Sequence, residues 1–567
     1  MKHIFKLMFA SALTFSVGQM QAQRYVTEIF TDSEVTVTLG VPYAENISVL
    51  NTILGGLSVP PALVLPDTIT LVMDVYQPTQ SADAVTERPL VIYLPTGNFL
   101  PSVVNGAPTG SIRDSAAVNI AKQLAKRGYV CAVVAYRQGW NPVSTNQIVR
   151  TGTILNAAYR GQQDSKAAVR FFRKDRATTN TYKIDPNKVA LIGEGTGGYV
   201  AMAHAFLDQP WKIARLPGIG DNKFLRTEAP DSSVVDTNRV GNFNGTNNIP
   251  LNLSAFAATG DLLKVSGNVA NHVGYSSEVQ LVINLGGALG DSSWIDAGQI
   301  PMIGIHAVRD PNAPYFIGDV IVPTTGDLVI PFASGAGFNV PKANQYGNNA
   351  SFANKIYPDP ITAAVEARYN LTVPFAPSSI NTGSGKGLLP FILTETSPRS
   401  TNHGSPWQFW SATQPTAMAT VPGTPFTAHQ VATQSNPFMA QSDLVGRNTA
   451  LTYIDTIQKY INPRMVCALG LAECDLYETV GFNTISKNAL FTAFPNPSND
   501  FVTIITNAGV QGIKSVRLFD ITGREVRQIT NINTTSIQVN RENLPSGIYL
   551  VQVSTTQGNS QLKLIFE

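Results

Sequence analysis

The sequence predicts an α/β protein built on a mostly parallel sheet with helices on both faces, followed by a small all-β sandwich. Short runs rich in Val, Ile and Leu alternate with helical patterns up to about residue 480, which is typical of βαβ units. From about residue 488 the pattern changes to period-two alternation broken by turn residues, which predicts short antiparallel strands. Long stretches rich in Gly, Pro, Asn and Thr interrupt the first region and predict lid insertions near 208–278 and 316–445.

The predicted strands of the parallel sheet are short and almost wholly apolar, as expected when both faces of a sheet are covered. They are Ile69–Tyr76, Leu90–Leu94, Val130–Tyr136, Val189–Ile192, Val279–Leu285 and Met302–His306. The predicted helices place apolar residues three or four positions apart. They are Ser115–Arg127, Asn156–Lys174 and Arg447–Ile461.

Composition limits the function classes. Charged residues make up 14% of the 567 residues, against a usual share of about 25%, and the formal net charge is +2. A nucleic-acid-binding domain normally carries a basic face, so this balance argues against one. The apolar share of 43% is enough for a large core and excludes general disorder.

The first residues form a predicted secretory signal peptide, residues 1–22. Lys2 and Lys6 precede the mostly apolar run Leu7–Val17, and Ala22 follows a polar stretch. That run is shorter than the roughly 18–20 apolar residues that span a bilayer, and no later segment reaches that length. The sequence therefore predicts an exported protein without a membrane span.

Three local patterns stand in order near the C-terminal end, where residues 488–567 form the predicted sandwich. They are Phe494-Pro495-Asn496-Pro497, then Asp520-Ile521-Thr522-Gly523-Arg524-Glu525-Val526, then Leu544-Pro545-Ser546-Gly547-Ile548-Tyr549-Leu550-Val551. Together they resemble the C-terminal sorting domain of the type IX (Por) secretion system. The resemblance implies that the secretion machinery is a partner. It also implies delivery through the periplasm of a Gram-negative bacterium to the cell surface or the medium. The alternative is an ordinary adhesive sandwich.

A strand, a glycine-crowded turn and a helix start lie between Lys183 and Tyr199. With Tyr159-Arg160, Gln163-Asp164 and the stretch Gly128–Arg137, this segment resembles the carboxylesterase-like branch of the α/β-hydrolase superfamily. In that superfamily the turn reads G-x-S-x-G and its Ser is the nucleophile. Here Gly195 stands at the Ser position. The neighbouring Thr196 carries a hydroxyl, but we expect it in the first helical turn, bonding to backbone.

The resemblance also implies positions for the other catalytic groups. Gly97 and Asn98 follow the strand that precedes the oxyanion loop and are candidate N–H donors, although Pro95 replaces the usual His. Asp310 falls where the catalytic acid falls, with a turn residue as the alternative. His403 is the first candidate for the base because it follows the acid in chain order, with His429 as a second choice. His306 matches a structural position of the family, and His204 is expected to pack on a helix.

Trp407, Phe409 and Trp410 form an aromatic group within the second predicted insertion. They are candidates for the wall of a carbohydrate or polymer groove, and local packing is the alternative. Cys467 and Cys474 are predicted to form a disulfide because they lie seven residues apart in an exported protein. No motif for a metal, phosphate or dinucleotide fits, so no cofactor is expected.

Three functions remain open from the sequence. The first is a non-catalytic or weakly active hydrolase-like protein that binds an unknown small molecule or polymer. The second is a secreted carboxylic ester hydrolase with a displaced nucleophile, for which Thr196 is the candidate. The third is an adhesive surface component.

Overall fold

The structure is a computed structural model in which two compact units, Met1–Tyr477 and Glu478–Glu567, are distinguished. It describes residues 24–57, 62–102, 104–213, 222–224, 233–322, 326–369, 386–392, 404–421, 425–477, 491–506, 512–521, 524–555 and 558–567. The predicted signal peptide and the candidate base His403 lie outside these residues. The two units are described separately below.

The described residues of the first unit build an eight-stranded sheet in the order β1-β2-β4-β3-β5-β8-β9-β12. From β4 onward each neighbouring pair is parallel, while β2 is antiparallel to both β1 and β4. This confirms the predicted mostly parallel sheet. The strands are β1 (Val35–Ser48), β2 (Asp67–Pro78), β3 (Arg88–Leu94), β4 (Val130–Val134), β5 (Ile184–Glu194), β8 (Leu281–Leu285), β9 (Met302–Ala307) and β12 (Leu388–Phe391).

Helices cover both faces of this sheet. The described helices are α1 (Leu50–Leu57), α2 (Ser115–Lys126), α3 (Gln147–Ala177), α4 (Thr196–Phe206), α5 (Thr237–Val240), α6 (Ser254–Thr259), α7 (Ala336–Gln345), α8 (Ala350–Ala353), α9 (Pro360–Tyr369), α10 (Pro415–Met418), α11 (Ala428–Ser435) and α12 (Asp443–Ala468). Helices α3 and α4 pack on one face, and α2 and α12 pack on the other.

Alternate residues of one strand enter two separate cores. Leu90, Ile92 and Leu94 of β3 belong to the cluster that includes α3 and α4. Val91 and Tyr93 of the same strand belong to the cluster that includes α2 and α12. Because a strand points successive side chains to opposite faces, a wholly apolar strand is what a doubly covered sheet requires.

Short elements fill the stretches that the sequence predicts to be insertions. The first contains β6 (Ile249–Asn252) and β7 (Ser266–Asn268), which pair with each other. The second contains the hairpin β10 (Ile317–Ile321) and β11 (Leu328–Ser334). It also contains β12, so the stretch 316–445 contributes a strand to the central sheet as well as residues outside it.

The second unit is all β, as predicted. One sheet has the order β13-β14-β17 and the other has the order β16-β15-β18-β19. The strands are β13 (Phe491–Phe494), β14 (Phe501–Thr506), β15 (Ile513–Phe519), β16 (Glu525–Ile529), β17 (Ser536–Asn540), β18 (Gly547–Thr555) and β19 (Gly558–Phe566). Their inward side chains form a core of their own, which includes Val502, Leu518 and Val551.

Cys467 and Cys474 form a disulfide at the C-terminal end of α12, which confirms that prediction. Cys131 is free and buried in β4. Among the described residues, no helix is both long and apolar enough to cross a membrane.

Candidate functional site at the strand β5 turn

A tight turn joins the carboxyl end of β5 to helix α4. Gly195 has φ 52° and ψ −116°, and helix α4 begins at the next residue. The Gly195 N–H donates to the carbonyl of Leu285 at 2.8 Å, which ties the turn to the end of β8. Side chains rarely adopt this conformation, whereas glycine does so without strain.

Close packing of helix α4 on the sheet explains why a second position, Gly197, is a glycine. A Cβ placed on Gly197 would overlap the backbone carbonyl of Leu94, which belongs to the neighbouring strand β3. Helix α4 therefore lies directly against the sheet at its first turn. The residue pattern that suggested a hydrolase turn folds as that turn requires.

The space into which a side chain at position 195 would project is taken by another residue. A Cβ placed on Gly195 would overlap the Thr96 hydroxyl, and it would lie 3.0 Å from the Thr96 Cβ. Thr96 follows β3, so its side chain reaches the turn from the adjacent strand. Gly195 and Thr96 thus fit each other as a pair, and a Ser at 195 has no room in this arrangement.

Thr196 is the first residue of α4 and is partly exposed. Its hydroxyl lies 3.3 Å from the Tyr136 hydroxyl, which donates to the Pro95 carbonyl at 2.8 Å. The Thr196 hydroxyl is therefore the donor toward Tyr136. Among the described residues, its side-chain hydrogen bond is to a phenol rather than to a histidine or a carboxylate. The expected backbone bond of this hydroxyl is not the contact found.

The loop after β3 is held in an unusual conformation. Gly97, Asn98 and Phe99 have positive φ values of 148°, 51° and 54°. The Asn98 carbonyl accepts from the Trp140 indole at 2.8 Å, and the Asn105 amide donates to the Gly97 carbonyl at 3.3 Å. Non-glycine residues with positive φ are uncommon and are retained where the surroundings fix them. The two predicted oxyanion donors thus lie in a fixed loop beside the turn.

Sequence reasoning missed the acid directly beneath the turn. Glu194 is 1% exposed and accepts hydrogen bonds from Tyr93 Oη, Trp407 Nε1 and Gln408 Nε2, each at 2.8 Å. Burial raises the pKa of Glu194, and the three donors act in the opposite direction. No spacing or motif could have revealed this cluster, because Trp407 and Gln408 lie more than 200 positions along the chain.

Asp310 lies beside the same region, as its predicted position implies. A Cβ placed on Gly286 would lie 3.4 Å from Asp310 Oδ2 and 3.5 Å from the Trp407 ring. The carboxyl accepts the backbone N–H groups of Asn312 at 2.8 Å and Ala313 at 3.2 Å. Burial raises the pKa of Asp310 to about 8, and these two hydrogen bonds oppose the rise. The carboxyl is therefore mostly protonated at neutral pH.

The nearest described imidazole to Asp310 belongs to a strand residue. His306 Nε2 lies 3.6 Å from Asp310 Oδ2 and 3.3 Å from the Ala313 carbonyl. Burial lowers the pKa of His306 to about 4, so the ring is neutral at neutral pH. Its Nδ1 is buried and has no hydrogen-bond partner among the described residues. Burial thus favours the neutral form of both groups of this pair.

The other described histidines bond elsewhere. His204 Nδ1 lies 2.8 Å from Ser165 Oγ and its Nε2 lies 2.9 Å from the Ser277 carbonyl, so it packs on α4 as predicted. His429 accepts from the Trp410 indole at 3.1 Å. Within the described part of the chain, no histidine forms a hydrogen bond with Thr96 or Thr196.

The aromatic candidates for a groove wall are mostly inside the protein. Trp407 is fully buried against Phe391 and Glu194, and Trp410 is buried with Met439. Phe409 is partly exposed. These positions fit the packing alternative for the two tryptophans, and only Phe409 remains available as a wall residue. Among the described residues, no group of three or more His, Cys, Asp or Glu side chains is arranged to hold a metal.

Comparison with known families supports the resemblances given by the motifs. Residues 73–316 match the family model described as BD-FAE, and residues 492–567 match the Secretion system C-terminal sorting domain. The chain therefore carries an esterase-like α/β-hydrolase domain followed by a type IX sorting domain. The sorting domain indicates secretion or attachment to the cell surface. Comparison with curated protein sequences gave no match.

Solved structures similar to this chain include two forms of an esterase from Thermogutta terrifontis. Esterase 2 phosphonylated by cyclosarin is 16% identical, with 44% of this chain and 69% of that chain covered and a TM-score of 0.24. The paraoxon-phosphorylated form is 15% identical, with 50% and 75% covered and a TM-score of 0.25. MGS-M1, an α/β hydrolase from a Medee basin deep-sea metagenome library, is 14% identical, with 43% and 66% covered and a TM-score of 0.22.

Proposed function

We propose that this chain is an exported α/β-hydrolase-like protein that binds a small molecule or polymer without hydrolysing it. The observation that carries the proposal is the pairing of Gly195 with Thr96. Glycine supplies no nucleophile, and the Thr96 hydroxyl fills the space in which a serine side chain would project. Delivery follows from the sorting domain at 492–567, and we place the route through the periplasm of a Gram-negative bacterium.

The protonation of the acid and the imidazole near the turn, Asp310 and His306, supports a non-catalytic site. Ester hydrolysis by a serine enzyme needs a base that is oriented by a charged acid. Here burial favours the neutral form of both Asp310 and the adjacent His306, whose Nδ1 has no partner among the described residues, and the candidate base His403 lies outside those residues. A serine hydrolase that has lost its nucleophile loses roughly a factor of 10⁶ in rate.

The test is reaction of the purified mature protein with a fluorophosphonate probe, together with turnover of short p-nitrophenyl esters. An active serine esterase treated in parallel shows that probe and substrate are competent. We expect neither covalent labelling nor turnover above that of buffer. Peptide mapping after the probe would show any modified residue directly. Labelling of Thr96 or Thr196 would contradict the proposal.

The second function is a secreted carboxylic ester hydrolase with a displaced nucleophile. The match of residues 73–316 to an esterase-like family and the partly exposed Thr196, whose hydroxyl lies beside Tyr136, favour it. It predicts turnover that Thr196→Ala abolishes and that Thr196→Ser preserves. The third function, surface adhesion, predicts attachment of cells that depends on the first unit and is independent of both hydroxyls.

A further inference from the structure

A small cavity lies between helix α3 and the insertion that follows α4, and none of its lining residues belongs to the turn at Gly195. Thr153, Asn156 and Arg160 of α3 form the polar wall, and Val240, Leu262 and Val265 of the insertion contribute apolar surface. Its volume is about 20 Å³. A volume of this size holds one water molecule or a group of similar size.

Arg160 is the unusual member of this wall. It is 8% exposed, yet its guanidinium donates a single hydrogen bond to described residues, from Nη2 to the Gly139 carbonyl at 2.6 Å. Its Nε is buried and has no hydrogen-bond partner in the described part of the chain. A buried guanidinium with unmade hydrogen bonds is costly unless another group, in the protein or bound to it, satisfies it.

Among the described residues, Arg160 shares its counter-ion with a second arginine. Asp164 is the acid whose charge raises the pKa of Arg160. Its carboxylate already accepts hydrogen bonds from Arg137, from Nε at 2.9 Å and from the backbone N–H at 2.7 Å. Burial and the charge of Arg137 lower the pKa of Arg160 to about 9. Among the described residues, Arg137 and Arg160 thus share one buried anion, and Arg160 is the one of the two that lines the cavity.

The other polar groups of the wall have no hydrogen left to donate. Asn156 Nδ2 donates to the Gly152 carbonyl at 2.9 Å and to the Val234 carbonyl at 3.1 Å. The Thr153 hydroxyl donates to the Val149 carbonyl at 2.7 Å. Arg160 is therefore the polar lining side chain with an unmade N–H bond, at Nε, and a cationic donor suits an acceptor that carries a negative charge.

We propose that this cavity binds a small monovalent anion, either a halide ion or the head of a short carboxylate, on the Arg160 guanidinium. The size excludes a bulky anion, and the apolar remainder of the wall disfavours a doubly charged, strongly hydrated one. Because α3 and the insertion both line the cavity, the bound anion stabilises the packing of the insertion against α3. The inference is independent of the proposed function, since it uses no residue of the Gly195 turn.

The first test is the melting temperature of the full mature chain at constant ionic strength. Sodium gluconate, whose anion is too large for the cavity, is replaced stepwise by chloride, bromide or acetate. A ligand that binds only the folded state raises the melting temperature by mass action, so we expect a rise that saturates. Arg160→Met should abolish the rise. Arg176→Met should keep it, because Arg176 lies on the same helix but pairs with Glu87 near the surface. Equal melting temperatures in all four salts would overturn the proposal.

The second test remains decisive if Arg160→Met does not fold. Crystals of the wild-type chain are soaked in bromide, and the anomalous signal locates the ion. We expect a peak within hydrogen-bond distance of Arg160 that acetate displaces. Displacement by acetate shows that a carboxylate head fits, whereas persistence of bromide restricts the site to halides. A cavity that contains water only, or bromide at the surface only, overturns the proposal.

Discussion

At the scale of single residues, we propose that Gly195 and Thr96 keep the backbone of a reactive turn without its nucleophile. The φ and ψ of Gly195, its bond to Leu285 and the close approach of α4 all remain. Only the side-chain space differs, because Thr96 occupies it from the next strand. Two changes are therefore needed to rebuild a nucleophile here, one at each position.

Gly195→Ser alone should destabilise the protein and leave it unreactive. A side chain at this φ and ψ costs about 1–3 kcal/mol, and the overlap with Thr96 costs about 1–3 kcal/mol more. Gly195→Ser with Thr96→Gly should recover the overlap cost. Denaturant unfolding measures both variants, and fluorophosphonate labelling reports any nucleophile that they gain.

Gly260 offers a lower-limit control for the backbone contribution, because its φ of 67° and ψ of 5° are left-handed helical, which a side chain adopts more readily than the φ and ψ of Gly195. Nothing lies within 4 Å of a Cβ placed on Gly260. Gly260→Ser should therefore cost only the conformational strain. If Gly195→Ser were no more destabilising than Gly260→Ser, Thr96 would not be filling the nucleophile space.

Asp310 should make the stability depend on pH. Its folded pKa of about 8 lies above the ordinary value of 3.8 because the carboxyl is buried. Between these values the folded protein holds a proton that the unfolded chain releases, so the free energy of unfolding falls as pH rises from about 4 to 8. The maximal slope from one such group is about 1.4 kcal/mol per pH unit.

Asp310→Asn isolates this effect because the amide oxygen can still accept the N–H groups of Asn312 and Ala313. The difference in unfolding free energy, wild type minus variant, should decrease steadily from pH 4 to pH 8. A pH series of urea unfolding curves gives that difference. A difference that increases over this range would mean that Asp310 is charged and paired in the folded protein.

At the scale of elements, Glu194 connects the end of β5 to a segment more than 200 residues later. Three donors converge on its carboxyl from Tyr93, Trp407 and Gln408. Because a buried donor without an acceptor costs about 1–3 kcal/mol, this one side chain fixes both segments.

Glu194→Ala should cost about 3 kcal/mol or more and should shift the tryptophan fluorescence of Trp407. Glu194→Gln is the matched control, since its carbonyl oxygen can still accept from Trp407 and Gln408 while its amide faces the Tyr93 hydroxyl. We expect Gln to cost about 1 kcal/mol or less. Equal losses for Ala and Gln in urea unfolding would show that the negative charge, rather than the hydrogen bonds, stabilises the cluster.

Cysteine reactivity should follow the arrangement of the three thiols. Cys467 and Cys474 are bonded, and burial raises the pKa of Cys131 well above its usual range. Iodoacetamide should therefore modify none of them in the folded protein, one in denaturant and all three in denaturant after reduction. Mass spectrometry counts the adducts. Three adducts without reductant would contradict the disulfide.

The sequence predicted the elements whose pattern depends on local composition. A sheet covered on both faces needs apolar strands, and a helix that packs on it needs an apolar stripe. These patterns predicted the buried strands β3, β5 and β9 and the helices α2 and α12. Strand β1 was missed. Its pairing with β2 shifts register between Thr38 and Val41 and again between Pro42 and Ala44, which breaks the alternation along the chain.

The site was predicted less completely than the fold. The motif around Gly195 located the turn, because the glycines are needed by the strand–helix junction itself. The contacts of Thr96 and Glu194 were not foreseen, since they join residues that are distant in sequence and follow no repeat. Such contacts arise from the order of strands in the sheet, where β3 lies beside β5.

At the scale of the whole molecule, the chain consists of two units with separate cores. The first ends at Tyr477, and the second contains the sorting domain. Val502 and Val551 belong to the core of the second unit. In the first unit, Leu90 and Val91 belong to the two clusters that cover the two faces of the sheet. Because each unit buries its own apolar side chains, we expect each to fold without the other.

Removal of residues 478–567 should separate export from folding. The deleted chain keeps the eight-stranded sheet, both clusters that cover it and the disulfide between Cys467 and Cys474. Its melting temperature should therefore equal that of the matching transition in the full-length protein. The deletion removes the segment that matches the sorting domain, so the chain should accumulate in the periplasm and be absent from the surface and the medium. Fractionation of cells that express both forms measures the distribution. Surface delivery of a folded, truncated chain would show that the second unit is not the export signal, whereas a truncated chain that no longer melts cooperatively would show that the units depend on each other.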